Sequence, residues 1–112
     1  MPTISQIRTR TMRRVARFAT LLLRSLANED RLLLLSQLVA DEWCVSELER
    51  LADIRQPTLS QQLGVLRNEG LVATRRQGKY IYYSLNRPEV VPMLNMLYTL
   101  YRARKGRRRN TA

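Results

Sequence analysis

Histidine is absent from this chain of 112 residues, and cysteine occurs once. No intrachain disulfide can form with a single cysteine. A closed soft-metal site wants about three or four thiolate or imidazole ligands, so neither a structural nor a sensing metal is expected within one chain. Without histidine there is no Ser-His or Cys-His couple. The four glycines form no phosphate-cradling loop, and no carboxylates pair convincingly. An enzyme is therefore not expected, nor is a cofactor. Long apolar runs are also lacking. Ala19-Thr20-Leu21-Leu22-Leu23 and Leu32 to Leu35 fall far below the ~18 residues of a membrane span. The arginine-rich N-terminus has no apolar stretch ending in a cleavage site, so no secretory signal is expected. These absences point to a cytoplasmic protein with no membrane partner.

Charge, by contrast, is plentiful and unevenly placed. The net charge is +11, yet residues 18–101 hold nine basic residues and all nine acidic ones. The excess sits at the ends. Arg8, Arg10, Arg13, Arg14 and Arg17 lie on one side, and Arg102, Arg104, Lys105, Arg107, Arg108 and Arg109 on the other. A neutral body with basic ends suits a polyanionic partner. Length allows one domain, expected over residues 12–103, between a flexible basic arm (1–11) and a basic tail (104–112). So short a chain buries a modest core, and dimerisation would help it.

The spacing of Val15, Phe18, Ala19, Leu22 and Leu26 predicts a first helix from about Met12. Asn28 caps a second, from about Glu29 to Val39, with Leu32, Leu35 and Leu38 inward. Asp41-Glu42-Trp43 is expected as a connection. A short third helix places Leu48, Leu51 and Ala52 on one face. Either Ser46 with Glu49 or Cys44 with Glu47 has the spacing of its capping box. A tight turn at Asp53-Ile54-Arg55 leads to a fourth helix, with Pro57 in its first position and Leu59, Leu63 and Leu66 inward. That helix stops at Gly70. The period then switches: residues 71–76 and 80–85 read as a β-hairpin with Gln77-Gly78-Lys79 at its tip. A last helix after Pro88 carries Val90, Met93, Leu94, Leu97, Leu100 and Tyr101. The expected class is mainly α with a small hairpin wing, in the order α-α-α-α-β-β-α.

The third and fourth helices, apolar on one face and joined by a tight turn, make a helix-turn-helix, whose second helix enters the major groove. Its exposed face offers Gln56, Thr58, Ser60, Gln61 and Gln62. Glutamine can pair donor and acceptor with adenine, and the threonine methyl can meet that of thymine. An ordinary solvated face would sooner carry Glu and Lys, which form helices better. Arg75, Arg76 and Lys79 on the hairpin suit phosphate oxygens, which position a protein without reading sequence. Tyr80, Tyr82 and Tyr83 are expected to pack the sheet.

The chain resembles the arsenic-repressor (ArsR/SmtB) family of winged helix-turn-helix regulators. The resemblance rests on Leu26-Ala27-Asn28-Glu29-Asp30-Arg31-Leu32, Cys44-Val45-Ser46-Glu47-Leu48, the block from Gln56 to Val72, and Tyr82-Tyr83-Ser84-Leu85. It covers roughly residues 12–103. It implies a homodimer built from the first and last helices, with Phe18, Leu22, Leu94, Leu97 and Tyr101 as interface residues. It also implies double-stranded DNA as partner, read by the fourth helix and flanked by the wing. The sensing side departs from the family. A Cys-Val-Cys segment typical of arsenic and cadmium sensors is here Cys44-Val45-Ser46. The sulfide- and persulfide-sensing branch is the nearest in sequence, but its two cysteines correspond to Ser36 and Arg102. Cys44 is either a reactive thiol beside a helix N-terminus or a small residue beside Trp43 with no role; the inducer is not readable.

The expected function is transcriptional regulation: a homodimeric repressor on a palindromic operator, with two recognition helices ~34 Å apart. Two other functions compete with it. One is a basic architectural nucleic-acid-binding protein without sequence preference; the other is a redox-responsive repressor switching through Cys44.

Overall fold

The computed structural model describes residues 3–104; Lys105, Arg107, Arg108 and Arg109 lie outside them. One 3-10 turn, Ile4–Gln6, precedes helix α1 (Thr9–Leu26). The helix begins ahead of the expected Met12, because Thr9, Arg10 and Thr11 extend it without adding to any apolar period. Helix α2 (Glu29–Ala40) starts where the cap was expected, with the Asn28 side chain accepting from the Arg31 backbone N–H at 3.0 Å. It buries Leu34, Leu35 and Leu38, while Leu32 is only partly buried. Four consecutive leucines leave the helix phase open in sequence, and packing against the neighbouring helices selects 34 over 32.

The segment expected as a connection contains a short strand, β1 (Trp43–Cys44). Two residues cannot display alternation, so nothing in their sequence marks a strand. Helix α3 (Val45–Ala52) follows, and of the two possible capping boxes Cys44 with Glu47 forms. The Cys44 backbone N–H donates to Glu47 Oε1 at 3.0 Å, and that bond holds the Glu47 carboxyl below its ordinary value. Asp53 ends α3 in the left-handed conformation (φ 56°), which short polar side chains tolerate. Buried Ile54 pins the turn to the core. Helix α4 (Thr58–Asn68) begins one residue later than expected, with Pro57 as the flanking residue, and buries Leu59, Leu63 and Leu66 as its period requires. Gly70, at φ 76°, turns the chain out of the helix.

Strands β2 (Val72–Gln77) and β3 (Tyr80–Leu85) form the expected hairpin around Gly78. The sheet order is β1-β3-β2, antiparallel throughout, with Trp43 opposite Tyr83 and Arg75 opposite Tyr82. Asn86 closes the hairpin base: its backbone N–H donates to Leu71 O at 2.9 Å and its side chain to Gly70 O at 3.1 Å. Helix α5 (Val90–Tyr101) ends the fold. The core joins α2, α3 and α4 to Leu71 and Val72, with Val90 the one buried residue of α5. The architecture is a winged helix-turn-helix with one small strand more than the sequence revealed.

Candidate nucleic-acid interface

Three leucines of α4 face the core and fix which side of that helix faces out. Gln56, Ser60 and Gln61 are exposed, and Thr58 is half-buried. The Gln56 carbonyl oxygen accepts from the Ser60 backbone N–H at 3.0 Å and from its hydroxyl at 2.7 Å. That bond satisfies one of the orphan amides at the helix start and leaves the Gln56 amide N–H groups as donors. Gln61 makes no side-chain hydrogen bond among the described residues, so both its donor and its acceptor are open to a base edge. Gln62 is placed differently. It is half-buried, and its carbonyl oxygen accepts from Arg31 of α2 at 2.9 Å. The helical period puts it about 100° round from Gln61 and one turn on from Thr58; its partner Arg31, thirty-one positions away, is what the sequence did not reveal.

The wing divides in the same way. Residues 75 and 76 point to opposite faces of the hairpin, because side chains alternate along a strand. Arg75 is held by the Glu42 carboxylate through its Nε and Nη2. It also donates to Gln77 at 2.6 Å and lies 4.8 Å over the Tyr82 ring. The hydrogen bonds between Arg75 and Glu42 lower the Glu42 carboxyl below its ordinary value and raise Arg75. The Arg75 guanidinium, exposed like its neighbours, is thus engaged by groups of its own chain. Arg76 and Lys79 are exposed; Arg76 reaches the Gly78 carbonyl at 3.3 Å, and Lys79 lies 5.5 Å from the Tyr80 ring. Tyr83 packs against the core, whereas Tyr80 is exposed.

Two further basic groups stand out in three dimensions. Arg55 is exposed beside Gln56; its place just before the Gln-Pro helix start was the one signal available in sequence. On α1, a turn of about 100° per residue gathers Arg10, Arg13, Arg14, Arg17 and Arg24 into one stripe. All five are exposed, and none is ion-paired among the described residues, where the two ion pairs are Arg75 with Glu42 and Arg87 with Glu89.

The residues expected at a dimer interface lie on α1 and α5. Phe18 is 63% and Tyr101 56% exposed, while Leu22 and Leu94 pack partly against the core. Leu97 lines an apolar groove of about 550 Å³ with Leu23, Leu26, Leu32, Met93 and Met96. Cys44 is buried, with its sulfur 3.4 Å from the Ser46 hydroxyl. Ser36 bonds back to Leu33 O at 2.8 Å, and Arg102 lies 5.9 Å over the Tyr98 ring. Among the described residues, no helix is long and apolar enough to cross a membrane.

Residues 28–74 match the family model for bacterial regulatory proteins of the arsR family. The chain is 44% identical over 98 residues to a biofilm growth-associated repressor of Agrobacterium fabrum, covering 88% of this chain and 84% of that protein. It is 41% identical over 83 residues to the transcriptional activator HlyU of Vibrio cholerae, covering 74% and 77%. The crystal structure of the transcriptional repressor BigR from Xylella fastidiosa superposes with a TM-score of 0.79 at 43% identity, over 85% of this chain and 97% of that one.

Proposed function

The chain belongs to the arsR family of bacterial regulatory proteins and is a DNA-binding transcriptional regulator, and from that premise we propose that it is a homodimeric repressor of a palindromic operator. The observation that carries this is the split between the exposed, uncharged Gln56, Ser60 and Gln61 at the start of α4, with Arg67 the charge at the far end of that helix, and the separate arginine stripe of α1. Gln56, Thr58, Ser60 and Gln61 read base edges, and Gln62 supports them from the side. Arg55, Arg76, Lys79 and the terminal arginines hold phosphates. Arg75 acts through Glu42 to set the wing. Two copies pair through α1 and α5, bringing Phe18, Leu22, Leu94, Leu97 and Tyr101 into a shared core. Repression follows from occupying the promoter in place of RNA polymerase. No resident metal or cofactor takes part, the protein acts in the cytoplasm, and the branch-specific thiol switch is replaced at Ser36 and Arg102.

The test is selection of bound duplexes from a genomic pool, followed by footprinting. One protected palindrome supports the proposal, and diffuse coverage would establish the architectural alternative. Deleting residues 105–112 then probes the phosphate contribution. Affinity should drop on all duplexes alike, and the slope of log affinity against log salt should shrink by about 0.9 per lost phosphate contact. An unchanged slope would remove the tail from the interface.

A further inference from the structure

Arg31 occupies a junction that DNA recognition as proposed above does not use. Its backbone is fixed in the first turn of α2, where its N–H is capped by Asn28. Its guanidinium reaches two other elements. Nε donates to the Ser25 carbonyl at 2.6 Å, and Nη2 to the Arg24 carbonyl at 3.2 Å, both at the C-terminal end of α1. Nη1 donates to Gln62 of α4 at 2.9 Å. Terminal helix carbonyls lack intrahelical donors and carry partial negative charge, so a cation is favoured there. The neighbouring Ser25 is buried, its hydroxyl bonded back to Leu21 O at 3.3 Å. Only a planar fork of several N–H donors can serve two carbonyls of one helix and an amide of another at once; a lysine ammonium cannot reproduce that geometry.

We infer that Arg31 and Gln62 form a positioning pair that sets the angle of the recognition helix against the C-terminal end of α1. The inference rests on DNA binding by α4 and on pairing through α1. In a dimer, the orientation of each α4 relative to its own α1 fixes where the two recognition helices point. The pair therefore converts the geometry of the dimer into half-site spacing. Gln62, which its position in the sequence puts among the base readers, acts through Arg31 and not on a base.

The experiment is a double-mutant cycle of Arg31→Ala and Gln62→Ala, with Gln62→Glu as the conservative replacement. The probes are the duplex selected by the wild-type protein and a scrambled duplex of the same composition. Gln62→Ala should weaken operator binding about 10-fold or more, the scale of a hydrogen bond to a charged group. Scrambled DNA should be held nearly as well as before, and selection with the variant should return a broader range of half-site spacings. The double variant should be no weaker than the worse single one. Gln62→Glu keeps an acceptor for Arg31 and should return operator affinity to within about threefold of wild type. A base-reading Gln62 would give additive effects, no rescue by glutamate and unchanged spacing, and would overturn the inference. Equal losses on operator and scrambled duplexes would overturn it too, since they report only a weakened fold. Should Arg31→Ala fail to fold, Gln62→Ala and Gln62→Glu decide the matter through spacing and rescue. If the wild-type protein selects no sequence, sequence-specific recognition itself falls; selection followed by additive effects sinks the positioning pair alone.

Discussion

Helices α2 and α5 have the same length, twelve residues each, and both are rich in leucine and its like. Their fates differ. α2 buries Leu34, Leu35 and Leu38 in the core of its own chain. α5 buries Val90 alone and leaves Met96, Tyr98, Leu100 and Tyr101 more than half exposed. On α1, Leu23 joins this surface, lining an apolar groove with Leu32 of α2 and Met93, Met96 and Leu97 of α5, and Phe18 and Leu21 are exposed elsewhere on the same helix. Exposed apolar surface of this kind suits the pairing proposed above. Two leucine-bearing helices of equal length thus serve two ends: α2, with charges in its first turn, holds one chain together, and the uncharged α5 suits that pairing.

Leu97→Glu tests that division most severely. A carboxylate forced into an apolar interface faces a desolvation cost of several kcal/mol. Operator binding should disappear, and sedimentation should find monomer or aggregate; a variant that stays dimeric and binds normally would erase the contrast. Leu35→Ala strikes the other helix. It should lower the stability of the folded chain by about 2–5 kcal/mol through the cavity left behind, read by chemical denaturation. Its dimer-to-monomer ratio below the unfolding transition should match that of wild type. A smaller loss falls on α4, between the two: Gln61→Ala should cost ~1–3 kcal/mol on the operator and little on scrambled DNA, with the salt slope unchanged, because no cation is removed.

Two substitutions outside both helices calibrate the scale from below. Glu42 has its carboxyl held down by Arg75, so its pairing stabilises the fold above the unfolded-state carboxylate value and is lost as pH falls through the lower folded-state value. The stability gap between wild type and Glu42→Gln should be small at neutral pH, as for exposed pairs, and should close on acidification. A gap that widens in acid would mean the pair is absent in solution. Cys44→Ser keeps a capping-competent residue at the start of α3 and should bind operator as wild type does under reducing conditions. A lost operator complex would give the thiol a role beyond packing.

Local signals carried much of this protein. Asn28, Pro57, Gly70 and Gly78 each act within a turn of their own position, so helix starts, the stop after α4 and the hairpin tip are written where they occur. The regular return of Leu59, Leu63 and Leu66 likewise fixed the inner face of α4, and with it the exposed Gln56, Ser60 and Gln61. Other features depend on residues far apart in the chain. Strand β1 exists because Trp43 and Cys44 meet Tyr83 and Tyr82. Arg75 is engaged at the surface by Glu42, thirty-three positions away, and the half-buried Gln62 by Arg31, thirty-one away. A side chain's type says which bonds it can make, and its period says roughly where it points. Which partner claims it is decided only when the tertiary fold brings the competing groups within about 3 Å, the range over which a hydrogen bond acts.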